Sequence, residues 1–205
     1  MNVAVVKVTI IETTGPKWVC ANRLQGDEKH GNWNMSTILE TNRLTLRTWQ
    51  PSDLDAFHAV CADARVMQFV GDGQPWSLEK TQQFIEHALA TSKTDGYCQW
   101  PVVYKDSDKL IGFCGFIPAD HFAEIGWRLA HDYWGQGLAT EAAHATLNYG
   151  LDELEFERVV ATVQSENRAS IRVVQRLGMK PNGEFQREGR KILVFTAARV
   201  TQQGT

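Results

Sequence analysis

No block of lysine or arginine occurs anywhere in the 205 residues, and the balance is slightly acidic, 21 Lys plus Arg against 24 Asp plus Glu for a formal charge of −3. A protein held to nucleic acid through phosphate contacts shows the opposite pattern. That class is set aside, although a cationic or amine-bearing substrate is not. No segment reaches the roughly 18 apolar residues of a membrane span, so a membrane partner is not expected either. The four cysteines, Cys20, Cys61, Cys98 and Cys114, lie far apart and form no C-x-x-C pair. Dispersed thiols of this kind are expected to be buried and reduced, in a cytoplasmic compartment. The six histidines show no H-E-x-x-H or similar spacing, so no metal site is expected. Nor is there a convincing Cys-His or Ser-His-Asp arrangement. A Cys114 nucleophile is conceivable, but Ile111-Gly112-Phe113-Cys114-Gly115-Phe116 reads as a core strand.

What is present suits one sizeable domain: 43% hydrophobic and 22% charged residues are ordinary for a globular chain of this length. Residues 1–34 begin β-like but drift through Gly, Asn, Lys and Asp without a period. They are expected to be a poorly ordered extension, from an upstream start codon. Regular patterning starts at Met35, which opens a domain over 35–200 with a short tail at 201–205. Monomer and homodimer are both open.

Leu44 and Leu46 alternate as in a strand, and Pro51-Ser52-Asp53 opens a helix that turns Leu54, Phe57, Val60 and Cys61 inward. A loop over 71–76 leads to a second helix, capped at Ser77 and running to about Thr91. Strands are expected over 97–104, 109–117 and 123–129, then a helix over 138–152 and a valine-rich strand over 156–164. Asn167 to Leu177 is a helix closed by Gly178, and Phe185 and 192–198 supply the last strands. The order β-α-α-β-β-β-α-β-α-β-β describes an α/β domain whose sheet mixes antiparallel hairpins with one parallel crossover, 123–129 to 138–152 to 156–164.

Chemistry concentrates in Tyr133-Trp134-Gly135-Gln136-Gly137-Leu138-Ala139-Thr140-Glu141-Ala142. Two glycines lead straight into a helix whose first turn has amides without partners and the positive end of the dipole. Such a junction accepts a phosphate, and glycine lets the ligand approach closely. An ordinary glycine turn before an amphipathic helix would have the same sequence.

Four segments in order carry a family resemblance: Leu39-Glu40-Thr41-Asn42-Arg43-Leu44-Thr45-Leu46-Arg47, then Glu124-Ile125-Gly126-Trp127-Arg128-Leu129, the glycine turn, and Asn167-Arg168-Ala169-Ser170 through Leu177-Gly178-Met179. From Leu39 to Arg199 the chain resembles the GNAT-fold acyl-CoA N-acyltransferases, in the branch of the ribosomal-protein alanine acetyltransferases. The resemblance implies a mixed, centrally splayed sheet of about seven strands flanked by about four helices. It implies acetyl-CoA as donor and an amine-bearing acceptor. The acceptor would be a protein or peptide N-terminus, with a small amine such as an aminoglycoside or polyamine as the alternative, or else a CoA-binding module that senses acyl-CoA without catalysis. By the same resemblance Gln136, Gly137, Leu138, Ala139 and Thr140 cradle the pyrophosphate, Leu129 and Ala130 pair with pantetheine through main-chain groups, and Asn167 contacts the pantetheine arm. Trp134 stands where the superfamily favours Gln or Arg. Val174 stands where many members carry a tyrosine thought to protonate the departing thiolate.

Acyl transfer from a thioester to an amine needs a neutral amine, a polarised carbonyl and an acceptor for the thiolate. Glu124 is the candidate base, direct or through water, because its alternation partners Gly126 and Arg128 are not core residues; a solvated strand-end glutamate is the competing explanation. Asp120 and His121 are reserves. Ser170 is the candidate for receiving the thiolate, although it and Asn167 also suit helix capping. Glu141 is expected to be structural, favoured by the dipole. Acceptor selectivity is expected around Phe69 to Trp76 and on an open face near Trp100 and Phe116.

Overall fold

A computed structural model describes residues 36–119 and 122–199. The expected N-terminal extension at 1–34, the start at Met35, the tail at 201–205 and the reserve residues Asp120 and His121 all lie outside the described residues.

The chain opens with a hairpin of β1 (Thr37–Glu40) and β2 (Leu44–Arg47), followed by α1 (Leu54–Cys61), α2 (Ala64–Met67) and α3 (Leu78–Asp95). Then come β3 (Gln99–Tyr104), β4 (Lys109–Ala119), β5 (Phe122–Leu129), α4 (Leu138–Asp152), β6 (Arg158–Gln164), α5 (Arg168–Arg176), β7 (Lys180–Arg187) and β8 (Arg190–Ala198). The strands form one eight-stranded sheet in the order β1-β2-β3-β4-β5-β6-β8-β7. The additions to the expected elements are β1 and α2, each four residues long and so too short to show a period.

Local chemistry sets the helix ends. The Ser77 hydroxyl accepts from the Lys80 amide at 3.2 Å, and Gly96, left-handed at φ 81°, closes α3 four residues beyond the expected end at Thr91. The tail Ser92-Lys93-Thr94-Asp95 is polar, which hides this last turn from a search for apolar periodicity. Asn167 caps α5, its Oδ1 accepting from the Ser170 amide at 3.0 Å. α4 runs over the expected residues, but its buried stripe is Leu138, Ala142, Ala143, Thr146, Leu147 and Gly150. That is rotated from the Leu138-Ala142-Ala145-Tyr149 line the sequence suggested. Gly150 explains the rotation: any Cβ there would enter the Phe116 ring.

Helices cover both faces of the sheet. Phe113 of β4 meets Phe57 of α1 and Phe84 of α3 on one face, with ring centroids 6.0 and 5.3 Å away. On the other face α4 packs over Cys114 and Phe116, and Tyr149 touches Trp100 at 5.9 Å. Trp100 and Phe116 are each 1% exposed, so the open acceptor face expected near them is core. Alternation alone could not reveal that α4 covers this face. Cys114 is fully buried and its thiol is pushed up to about 12 by desolvation, which removes it as a nucleophile near neutral pH.

Candidate active site

The sheet comes apart at its one parallel junction. β5 and β6 pair only at Ala123 with Val159 and Glu124 with Val160, after which the strands separate. β5 meanwhile stays paired to β4 as far as Leu129 opposite Gly112. At the end of β5 the Ala130 amide donates to the Ile111 carbonyl at 2.8 Å. Strand alternation therefore turns the amide and carbonyl of Leu129 the other way, into the gap. The Ala130 carbonyl accepts from Tyr133 at 3.0 Å, so both its main-chain groups are already used by the fold. A short 3₁₀ turn over His131–Tyr133 makes that bond and aims the chain at α4.

At the mouth of the gap stands the N-terminus of α4. Gly137 takes the cap position at φ 80°, in the left-handed region where glycine alone is free of strain. The first intrahelical bond, Glu141 amide to Gly137 carbonyl at 3.0 Å, leaves the amides of Leu138, Ala139 and Thr140 ahead of it, and no side chain among the described residues caps them. Side chains around the turn hold its backbone and leave its amides open. The Gln136 carboxamide folds back to the Asp132 carbonyl at 3.0 Å, and its main-chain carbonyl accepts from Arg43 Nη1 at 3.0 Å. The Trp134 indole, 41% exposed, donates to the Leu129 carbonyl at 2.8 Å. Trp134 thus ties the glycine turn to the end of β5.

Glu141 is the anchor of this arrangement. Its Oε1 accepts from the Thr41 hydroxyl at 2.6 Å and the Arg43 amide at 3.0 Å, while Oε2 accepts from Arg43 Nε at 2.7 Å. Desolvation alone would raise its pKa, but the Thr41 hydroxyl and the Arg43 amide and guanidinium outweigh it and hold the carboxyl below its ordinary value. A lowered carboxylate stabilises the fold fully above the unfolded-state pKa, and this is lost as pH falls through the folded one. Glu141→Gln is therefore expected to cost about 1–2 kcal/mol at neutral pH, discounted for the exposure of Arg43. The difference from the parent protein should shrink as unfolding is measured at progressively lower pH below 5, about where unfolded carboxylates titrate. A difference that stays constant with pH would contradict the assignment.

A cleft of 540 Å³ joins these features. Its walls include Leu129, Gly137, Leu138, Ala139, Thr140, Asn167 and Ser170, so the structure brings together most of the residues expected to handle the donor. Gln136, Ala130 and Glu124 do not line it. Trp127 and Arg128, which point to opposite faces of β5, both do, so the cleft passes through the sheet at the split. Asn167 occupies the cap position of α5, and Ser170 is half-buried one turn before the fully buried Val174. Glu124 sits at the last paired position of the split, half-buried, with Oε1 accepting a hydrogen bond from the Thr162 hydroxyl of β6. The Thr162 contact was not legible in the sequence, since it depends on the register of β5 against β6. Arg128 differs from expectation: it is 8% exposed and belongs to the core beneath Trp76. Trp76 itself packs on Phe84 at 5.6 Å and walls the core side of that position. Among the described residues no group of His, Cys, Asp and Glu is arranged to hold a metal, and no helix is long and apolar enough to cross a membrane.

A mixed sheet split at its parallel crossover, with a glycine-led helix N-terminus at the mouth of the split, is the architecture that the family resemblance implies. Residues 43–180 match the acetyltransferase (GNAT) domain, and the chain belongs to that family. It is 34% identical over 151 residues to the uncharacterized N-acetyltransferase YnaD of Bacillus subtilis, covering 73% of this chain and 86% of that protein. Over 148 residues it is 28% identical to the spermidine N(1)-acetyltransferase of Escherichia coli K12, covering 70% and 76%. Its fold matches the ribosomal L7/L12 alpha-N-protein acetyltransferase RimL, solved in complex with coenzyme A, with a TM-score of 0.71 at 19% identity over 80% of this chain and 98% of that one. The protein is an acetyltransferase of the GNAT family.

Proposed function

We propose that the protein transfers an acetyl group from acetyl-CoA to a primary amine, the α-amine of a peptide or protein, by direct attack in a ternary complex. The observation that carries the donor assignment is the set of unpartnered amides at Leu138, Ala139 and Thr140, opening onto a cleft that runs into the split sheet. These amides, with the backbone of Gln136 and Gly137, hold the pyrophosphate. Leu129 then offers its amide to the pantetheine arm as a neighbouring strand would, and Asn167 meets the arm from α5. From Leu129 back to Glu124 is five residues, about 17 Å of strand, so an arm laid along β5 points its thioester toward the vertex of the split.

Glu124 marks that vertex. Thr162 occupies one of its oxygens and leaves the other to take the amine proton through a bridging water, since the carboxylate stands back from the cleft wall. The neutral amine nitrogen then attacks the thioester carbon, the carbon–sulfur bond breaks with its electron pair on CoA, and the second proton that the nitrogen sheds as it becomes an amide passes to the departing thiolate. Ser170, on the cleft wall, hydrogen-bonds that thiolate in place of the tyrosine replaced by Val174. The missing acid also favours a second reading, a module that binds acyl-CoA without turnover. Release of free thiol from acetyl-CoA with a panel of amines, including peptides beginning with Ser, Ala and Thr, separates the two. Acceptor-dependent release is expected; tight CoA binding with no release on any acceptor would establish the sensor.

A further inference from the structure

Arg128 is a buried cation with no anionic partner among the described residues. It lies opposite Phe113 in the β4–β5 register, so its side chain enters the face covered by α1 and α3. The guanidinium carbon is 4.3 Å from the Trp76 ring centroid and 5.2 Å from that of Phe113. Nη1 donates to the Cys61 thiol at 3.2 Å, while Nε is buried with no partner among the described residues. Burial raises the pKa of Cys61 despite the neighbouring guanidinium, so near neutral pH the sulfur is an uncharged thiol. Arg128 also lines the cleft, whose one carboxylate is the exposed Glu166, and it forms no ion pair among the described residues.

A guanidinium stays protonated under all ordinary conditions. Its aromatic neighbours offset part of its desolvation, but a buried charge normally has a charged or fully hydrogen-bonded partner. The cleft that Arg128 lines gives an outside partner a way to reach it. The donor's phosphates are badly placed to supply that partner, because the cradle proposed above is at the N-terminus of α4, which covers the opposite face of the sheet. A group reaching Arg128 enters from the α1/α3 face, bounded by Gln68, Phe69 and Val70. This face is where the acceptor approaches Glu124, which alternation places on the same side of β5 as Arg128.

We propose that the acceptor is an amine bearing a carboxylate, and that Arg128 pairs with that carboxylate and selects for it. The inference rests on the acetyltransfer reading above and names the substrate class of that site. Two sources offer the same chemistry, an acidic residue at or near the N-terminus of a peptide and the α-carboxylate of a free amino acid. A polyamine offers the reverse charge, and Arg128 disfavours it.

The test is thiol release by the full chain at saturating acetyl-CoA, with matched acceptor pairs. One pair is a C-terminally amidated tripeptide beginning with Asp against the same peptide beginning with Asn. The other is free alanine against alaninamide, and spermidine is added as a polycation. In at least one pair the acid is expected to exceed its neutral partner about 30-fold in kcat/KM, the size of one charge-assisted hydrogen-bonding contact. The pair that shows it identifies the source. R128Q should bring that ratio near one, and R128K should retain part of it. The comparison within the parent protein stands even if R128Q fails to fold. Release without preference for the acid in either pair overturns the inference alone. So does an R128Q protein that is slower on both members but keeps their ratio, since that pattern places the arginine on the developing oxyanion. No release with any amine overturns the acetyltransfer reading, and this inference with it.

Discussion

Glu124→Gln is expected to lower kcat by about 10²–10⁴-fold, the range attributed to a positioned general base. The substitution keeps the side chain's shape and its ability to accept from Thr162, so packing at the vertex of the split should survive and the melting temperature should change little. The acid-side fall in kcat/KM that a carboxylate base imposes should disappear with the carboxylate, leaving only the ionisation of the amine. The affinity for CoA should be nearly unaffected, because Glu124 is not part of the cleft wall. An unchanged pH–rate profile would remove Glu124 from the role of base, whatever happened to kcat.

Replacing Gly137 by valine is the complementary experiment at the other end of the donor. Space does not forbid a side chain there, since an added Cβ would meet only Arg43 Nη2 at 3.7 Å. Conformation does: φ is 80°, and a β-branched residue in that region carries strain of roughly 1–3 kcal/mol that the turn relieves by moving. Movement displaces the amides of Leu138, Ala139 and Thr140 together, so CoA affinity should fall about 10–100-fold. The loss should fall on binding far more than on kcat at saturation. Gly137→Asn, better tolerated in the left-handed region, should weaken binding less. Loss of kcat with intact CoA affinity would contradict the cradle.

Much of this architecture is legible in the sequence because its signals are local. The span of α4 follows from the glycines before it, and α5 follows from Asn167 at its start and Gly178 after its end. β1 and α2 escape because four residues are too few to show a period, even though Asp63 caps α2 by accepting from the Arg65 amide. The site divides in the same way. Leu138, Ala139 and Thr140 act through backbone amides, so position in a recognisable turn was enough to find them. Thr41 and Arg43 were visible only as part of a resembling segment, and their grip on Glu141 spans about a hundred residues of sequence. By sequence Arg128 is a non-core alternation partner of Glu124, because strand periodicity says which face a residue occupies and not what covers that face. Trp76 and Phe113 make that position core, and that no described residue brings an anion there emerges only from the tertiary packing.

Initial velocities of thiol release, measured over a grid of acetyl-CoA and acceptor concentrations, test direct transfer in a ternary complex most squarely. Double-reciprocal lines that intersect, with no burst of thiol before acceptor is added, are the expected result. Parallel lines with a stoichiometric burst would mean that the acetyl group passes through the protein, and would contradict direct attack at the split of the sheet.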